Sequence, residues 1–583
     1  MSVSLSPKRI WITFSIAAIL LLLVLYQIFQ LCVIREPVLR KTANRQHYLR
    51  VEIPPLRGQI LDRKGKELAI SLKVPSIYAV PRLVAPDRRA ELVKQVTSLL
   101  GLDPDFVKER FSRDKAFVWL KRHVPFEVAE KIREMKDPGL GILDEYRRFY
   151  PQGELLSQVL GFTDIDNVGL EGMELMMNRE LQGRPGIRVT KRDAMGREIK
   201  AFEMKAIPAV DGNRVHLNID QYLQYVTEKS LDRAYEQWKA KGAAAVLMEA
   251  KTGRILAIAS RPTYDPNRAK ESQADTRRNR AITDVYEPGS VFKIVAGSAA
   301  VNEGKVKIDQ IFDCENGEYR YSKYTLHDVH PYGDLTFSEI LIKSSNIGIV
   351  KVAAELAPEV FYKYLKAFGI GDKAGIDFPG EVSGFVRAPA AWSKTSPYNI
   401  PMGQEVTVTL IQLARAIAVI ANGGNLVRPF LISHVEDQSG VELLRKQPVI
   451  RTGVLKPEAA RTMREILIRA VEEGTGKSAQ IRNVKVGGKT GTAQKILPRG
   501  GYSHSNFMSS FIGFAPGEDP ELVMAVVLDD PKPKYYGGTV AAPVFREVME
   551  VALRTIGYVP ADAPLTDPAT LPQGIPDNPP TAL

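Results

Sequence analysis

Glu287-Pro288-Gly289-Ser290-Val291-Phe292-Lys293 is the stretch from which the rest of this 583-residue chain is read. Pro288 and Gly289 make a turn, and the apolar run from Val291 to Ala300 predicts a buried helix. Ser290 then falls in the first turn of that helix, with Lys293 three residues on and on the same face. A serine hydroxyl is a weak nucleophile until a neighbouring base takes its proton. A lysine serves as that base where burial and nearby cations lower its pKa toward neutrality. The helix start adds backbone N–H groups and positive dipole character, which favour a developing negative charge. By itself, Ser-x-x-Lys also describes a helix cap followed by a surface lysine, so a second signal is needed.

Two further stretches supply it. Ser344-Ser345-Asn346 follows the amphipathic run Leu335 to Ile342, and Lys489-Thr490-Gly491-Thr492 follows Val484-Lys485-Val486-Gly487-Gly488. Ser-x-x-Lys, Ser-Asp-Asn and Lys-Thr-Gly in this order form the set used by penicillin-binding proteins and class A β-lactamases. The chain resembles that set at all three places, with Ser345 standing where the middle motif has Asp.

Composition sets the outer limits. The length suggests two or three domains, and 44% hydrophobic with 25% charged residues is ordinary for a globular protein. Cys32 and Cys314 cannot build a disulfide framework. The formal charge of +12 suits an anionic partner, but the basic residues are scattered and no nucleic-acid-binding motif accompanies them. A solubilising surface is the better reading, with no nucleic acid as partner.

No charged residue lies between Arg9 and Arg35, and the run is long enough to cross a bilayer as a helix. A cleaved signal peptide needs a shorter core and a small-residue cleavage site, which Tyr26-Gln27-Ile28-Phe29 does not provide. An uncleaved anchor is expected. Lys8 and Arg9 favour a cytoplasmic N-terminus, while Arg35, Arg40, Lys41 and Arg45 pull the other way.

Farther on, Asp87 is expected to cap a helix with Leu92, Val93, Val96, Leu99 and Leu100 on one stripe, ended by Gly101. Asp103-Pro104 should start a second helix and Pro125 to Met135 a third. A new pattern begins near Val210 to His216. Asp220 should cap a long amphipathic helix running to Gly242, followed by a hairpin of Ala243–Glu249 and Arg254–Ala259 around Lys251-Thr252-Gly253. Strands are expected at Val484–Val486, Phe507–Phe514 and Leu522–Leu528, a last helix over about Ala541–Ile556, and a disordered Pro-rich tail beyond it. Strands, helices, then strands again predict an α+β domain with an antiparallel sheet.

From Arg57 to Tyr558 the chain resembles the class B penicillin-binding proteins, and within them the septal, cell-division (FtsI-like) branch. The resemblance is carried by Arg57-Gly58 with Asp62-Arg63 and Gly65, by Arg148-Phe149-Tyr150-Pro151, by Gly161-Phe162-Thr163 with Gly169-Leu170-Glu171-Gly172, and by Arg280 to Asp284. Asp530-Pro531, Tyr535-Tyr536-Gly537-Gly538 and Ala542-Pro543-Val544-Phe545 look like the division branch. Val406-Thr407-Val408 departs from the family's usual proline after threonine, without expected effect on the chemistry. The resemblance implies a membrane-anchored, non-catalytic pedestal followed by a transpeptidase domain with an antiparallel sheet, helices and a helical subdomain. The implied division is a cytoplasmic N-terminus over 1–9, a transmembrane helix over 10–34, a pedestal or dimerisation-like domain over 35–212, the transpeptidase domain over 213–558 and the tail over 559–583.

It also implies roles. Ser290 is the acylated nucleophile and Lys293 its base. Ser344 relays a proton to the leaving amine, and Asn346 orients Lys293 and the substrate's peptide group. Lys489 supplies positive potential for the terminal carboxylate of a D-Ala-D-Ala stem peptide, which Thr490 and Thr492 hydrogen-bond. The oxyanion hole is formed by the N–H groups of Ser290 and Thr492, and Gly491, with no side chain, lets a substrate strand approach the sheet edge. No cofactor or metal is implied. The implied partners are peptidoglycan stem peptides, β-lactams, a SEDS-type glycosyltransferase and other division proteins, at the cytoplasmic membrane with the catalytic domain outside.

Three other readings share the motifs: an elongation-branch transpeptidase, a β-lactam hydrolase, for which no local stretch resembles the Glu-bearing loop of class A enzymes, and a β-lactam sensor. His327 and His330 lack further ligands for zinc and suit a solvated loop. Gly423-Gly424 and Gly487-Gly488 read as turns, Asp529-Asp530 as a strand-end turn, and Tyr535 and Tyr536 as either cleft or core.

Overall fold

The structure, a computed structural model, describes residues 7–36, 39–40, 48–115, 117–192, 198–321, 324–497 and 499–559. The tail expected to be disordered lies almost wholly outside them. Pro7–Phe29 is α-helical and Gln30–Ile34 continues it as a π-helical turn. Among the described residues this is the one helix long and apolar enough to cross a membrane, and none of it is buried.

The chain forms two compact units. The smaller takes the chain to Arg57, Lys73–Arg147 and Gln182–Gly212. Its core is Leu92, Val93, Val96 and Leu100 of one helix packed with Val107, Phe111 and Ile132 of the next two. Asp103 caps the second of these by accepting from the N–H groups of Asp105 and Phe106. Gly101 ends the first in the left-handed region at φ 59°. Asp87 does not cap that helix: Arg88 holds the cap position and makes no side-chain capping bond.

The larger unit takes Gly58–Leu72, Arg148–Leu181 and the chain from Asn213. The first two stretches, counted above with the pedestal, are tied into it by a buried ion pair. Arg148 donates to Glu174 at 2.6 Å and to the Gly58 carbonyl at 2.8 Å. Ile60, Tyr150, Val159 and Met173 share one core with Val215 and Leu217.

Within this unit Asp220 caps α1 (Gln221–Gln237) through the N–H groups of Tyr222 and Leu223. The helix stops short of Gly242, which opens a strand. The expected hairpin follows as β1 (Gly242–Glu249) and β2 (Ile255–Arg261). The helical middle contributes α2 (Lys293–Asn302), α3 (Phe337–Lys343), α4 (Asn346–Ala354), α5 (Leu410–Ala421) and α6 (Pro457–Glu472). Then come β3 (Gly487–Ile496), β4 (Tyr502–Ala515), β5 (Leu522–Asp529) and α7 (Ala542–Thr555). The five strands pair antiparallel throughout in the order β2-β1-β5-β4-β3, so β3 is an outer strand.

Side chains alternate across a strand, so the apolar run of β1 serves two cores. Ala244, Val246 and Met248 pack with Val295 of α2 and Leu413 of α5. Ala243, Ala245 and Leu247 pack with Leu231 of α1 and with Phe545 and Val548 of α7. Helices therefore cover both faces. The expected strand at Val484–Val486 is displaced: these residues precede β3, and Gly487 and Gly488 are extended rather than turning. A Cβ on Gly488 would lie 2.5 Å from the Phe511 ring, and one on Gly487 would lie 2.1 Å from the Phe514 ring. Glycine is there for close approach between strands.

Candidate active site

The Ser290 turn is held by backbone and packing. Gly289–Phe292 is a 3₁₀ turn, and α2 begins at Lys293. Positions three apart eclipse in such a turn, which keeps Ser290 and Lys293 on one side. Gly289 adopts φ +59°, and a Cβ there would lie 3.0 Å from the Ala493 Cβ on β3. Its N–H donates to the Gly403 carbonyl at 3.1 Å. Gly403 itself sits at φ +81°, where a Cβ would come within 2.3 Å of the Gly289 oxygen. On the approach to the turn, Tyr286 and Val408 exchange two backbone hydrogen bonds at 3.0 and 3.1 Å. The Val406–Val408 departure noted above thus falls on a segment that braces the approach to Ser290. Glu287 is buried, which pushes its carboxyl pKa up, and it accepts from the Glu405 N–H at 2.8 Å and the Tyr502 hydroxyl at 3.3 Å.

The opposite wall is the junction between α3 and α4. Ser344 closes α3 in the left-handed region, φ +64° and ψ 37°. For a residue with a Cβ that conformation costs about 1–2 kcal/mol. Ser345 caps α4 by accepting from the Gly348 N–H at 2.8 Å. The unusual backbone turns both polar groups of Ser344 toward the lysines. Lys293 Nζ donates to the Ser344 carbonyl at 2.5 Å, to Ser344 Oγ at 3.2 Å and to Asn346 Oδ1 at 2.8 Å. Lys489 Nζ donates to Ser344 Oγ at 2.7 Å. Ser344 Oγ therefore stands between two lysine amino groups contributed by distant parts of the chain.

Both lysines are buried, at 0% and 1% exposure, while Ser290 is half-buried and open to a ligand. Burial lowers the Lys293 pKa to about 7, with the Asp328 carboxylate acting in the opposite sense. Burial, then the neighbouring Lys293, holds the Lys489 pKa well below its usual range. A lysine near neutrality is poised to accept a proton.

The structure thus joins Lys293, Ser344, Asn346 and Lys489 by direct hydrogen bonds, with Ser290 one 3₁₀ turn from Lys293. Thr490 and Thr492 are bonded elsewhere. Thr490 Oγ1 and Thr475 Oγ1 lie 2.7 Å apart, and Thr492 Oγ1 accepts from the Gly537 N–H at 3.2 Å. Gly491 lies close to both β4 and the Ser290 turn: a Cβ there would lie 2.4 Å from Ser510 Oγ, 2.9 Å from Val291 and 3.0 Å from the Pro288 oxygen. Its lack of a side chain serves those contacts.

Residues 243–550, which hold this whole cleft, match the Penicillin binding protein transpeptidase domain family, and residues 52–217 match the Penicillin-binding Protein dimerisation domain family. The chain belongs to the class B penicillin-binding proteins. Among its relatives, "Probable peptidoglycan D,D-transpeptidase PenA" of Neisseria meningitidis is 33% identical over 520 residues, spanning 88% of this chain and 87% of the relative. "Peptidoglycan D,D-transpeptidase FtsI" of Escherichia coli is 32% identical over 534 residues, spanning 91% and 88%. In structure the chain is similar to penicillin binding protein 3 of Mycobacterium tuberculosis complexed with aztreonam, with TM-score 0.69 and 27% identity over 88% of this chain and 99% of that one.

Two side chains at the cleft escaped the sequence reading. Thr475 lies in Gly474-Thr475-Gly476, just after α6, where the flanking glycines were the available signal. Asp328 lies in His327-Asp328-Val329-His330, a stretch considered only for its histidines. Those histidines are exposed, but His327 ends the strand Tyr324–His327 rather than lying in a loop, and its carbonyl accepts from Asn346 Nδ2 at 3.0 Å. Elsewhere, His216, His434 and Glu436 place ligand atoms within 4.8 Å of one another. The two imidazoles stack at 4.1 Å with planes 12° apart, and Glu436 already accepts from Arg214 at 3.2 Å. Ring lone pairs lie in the ring planes, so this stack does not aim them at a shared ion.

Proposed function

We propose that this chain is a septal D,D-transpeptidase that crosslinks peptidoglycan stem peptides through an acyl-enzyme on Ser290, with release of D-Ala. The supporting observation is Ser344 Oγ within hydrogen-bond reach of both Lys293 and Lys489. Neutral Lys293 takes the Ser290 proton as Oγ attacks the penultimate D-Ala carbonyl carbon, and the backbone N–H groups of Ser290 and Thr492 receive the oxyanion. When the C–N bond breaks, the leaving amine takes a proton passed through Ser344, leaving an ester on Ser290. An amine of a neighbouring stem peptide then attacks that ester, gives up a proton along the same path, and restores the Ser290 hydroxyl.

The terminal carboxylate of the donor peptide lies beside Lys489, whose buried charge it stabilises. Because Thr492 Oγ1 accepts from Gly537, its hydrogen remains available to that carboxylate, and one hydrogen of the Thr475–Thr490 pair is likewise available. The outer edge of β3 offers a strand-like substrate a row of backbone groups. Tyr535-Tyr536-Gly537-Gly538 and the likeness to the Escherichia coli FtsI support the division branch. The Pro7–Ile34 helix is the anchor, running from inside to outside, where the substrate is, and it is the surface for a SEDS-type glycosyltransferase and other division proteins.

A penicillin acylates the same serine and stays. Peptide mass spectrometry of the penicillin-treated protein should find one adduct, on Ser290, lasting many minutes and absent from Ser290→Ala. An adduct elsewhere rejects the assignment, and loss within seconds marks a hydrolase. Depletion should give filaments; round cells point to the elongation branch. Crosslinking by the purified protein, lost in Ser290→Ala, excludes a sensor.

A further inference from the structure

Asn346 must hold Lys293 in place, yet it is the first residue of a helix that starts two residues after Ser344, the serine in the left-handed region. What holds Asn346 lies outside its motif. Asp328 Oδ2 accepts from the Ser345 hydroxyl at 2.6 Å. Asp328 Oδ1 accepts from the backbone N–H of Asn346 and, at 3.1 Å, from that of Ile347. One carboxylate therefore takes three donors from three consecutive residues. Two of them are N–H groups of the first turn of α4, which have no partner within the helix and which favour an anion.

We propose that Asp328 is the positioning residue for the reaction, supplying from seventeen residues upstream the carboxylate that Ser-Asp-Asn motifs carry inside, where this chain has Ser345. It clamps the start of α4, fixes Asn346, and through the 2.8 Å bond from Lys293 Nζ to Asn346 Oδ1 fixes the base. Its charge also acts on Lys293 directly, opposing burial. Lys489 also faces Lys293, across Ser344 Oγ. Asp328 touches no reacting atom; it acts through Asn346 and by its field. This inference rests on Ser290 and Lys293 as nucleophile and base.

The test is the rate of acylation of the full-length protein in detergent by a fluorescent penicillin, measured from about pH 5.5 to about pH 9. Asp328→Asn should slow acylation about 10- to 100-fold, the scale of a misplaced catalytic group. It should also move the acidic limb of the profile down by about half a pH unit or more, because Lys293 loses an opposing charge. Ser345→Ala, which removes one donor and no charge, should cost about fivefold and leave the limb in place. The double variant Asp328→Asn/Ser345→Asp should recover part of the rate and return the limb toward its original position. In an Asn346→Ala background, Asp328→Asn should cost little more rate. If Asp328→Asn does not fold, Asp328→Glu keeps the charge while displacing the carboxylate, and should lose rate with the limb unmoved.

An Asp328→Asn protein that acylates within about twofold of wild type with an unmoved limb overturns the proposal while leaving Ser290 as nucleophile. Lost rate with an unmoved limb and full additivity with Asn346→Ala marks a merely structural role and overturns it as well. A wild-type adduct anywhere but Ser290 overturns both.

Discussion

The two walls of the cleft are built on different physics. The Ser290 wall is held by shape: Gly289, Gly403 and Gly491 let three segments meet at distances where a Cβ would collide. The Ser344 wall is held by charge and hydrogen bonds: two buried lysines, Ser344, Asn346 and Asp328 hold one another. A nucleophile needs a fixed position, which close packing supplies. A proton path needs groups that exchange protons at little cost, which a polar network supplies and packing cannot. The first wall should therefore fail through added bulk, the second through lost polar groups or changed pH.

Four experiments separate the walls, the largest effect first. Ser344→Ala removes the oxygen between Lys293 and Lys489, and should lower penicillin acylation about 10²- to 10³-fold with little change in melting temperature. Lowering the pH comes next. Lys293 must be neutral to accept the Ser290 proton and its pKa is about 7, so the acylation rate should fall about tenfold for each unit below that value and level off above it. A flat profile from about pH 5 to about pH 7 would remove Lys293 as the base.

Gly403→Ala attacks the other wall. Its Cβ would meet the Gly289 oxygen at 2.3 Å with φ at +81°, so stability should drop by about 1–3 kcal/mol in denaturant melts. Acylation should slow about tenfold while the pH profile keeps its position. A shifted profile in this variant would mean that the walls are not separable. Thr475→Val tests the edge of the network. It removes the hydroxyl 2.7 Å from Thr490 and should weaken acylation about fivefold, the effect of one hydrogen bond.

Local signals were legible where one residue type has one physical reason to be present. Asp103, Gly101 and Asp220 marked helix ends because caps and left-handed turns depend on neighbours in sequence. The β1–β2 hairpin was legible from its two apolar runs and the turn between them. Gly487-Gly488 misled, since the reason for those glycines lies across the sheet at Phe514 and Phe511, which no local pattern records. Thr475 and Asp328 were missed for the same reason: their partners are fifteen and more residues away.

By itself, then, the order of residues determined the long apolar N-terminal helix, the antiparallel α+β plan and the three motifs, because periodicity, capping and motif spacing are properties of the chain as written. Only tertiary structure decided which groups meet. Lys293 and Lys489 share one serine oxygen, and Asp328 holds Ser345 and Asn346, because burial brings distant segments together. The same burial carries the Lys293 pKa down to about 7, a property of surroundings rather than of any stretch of sequence.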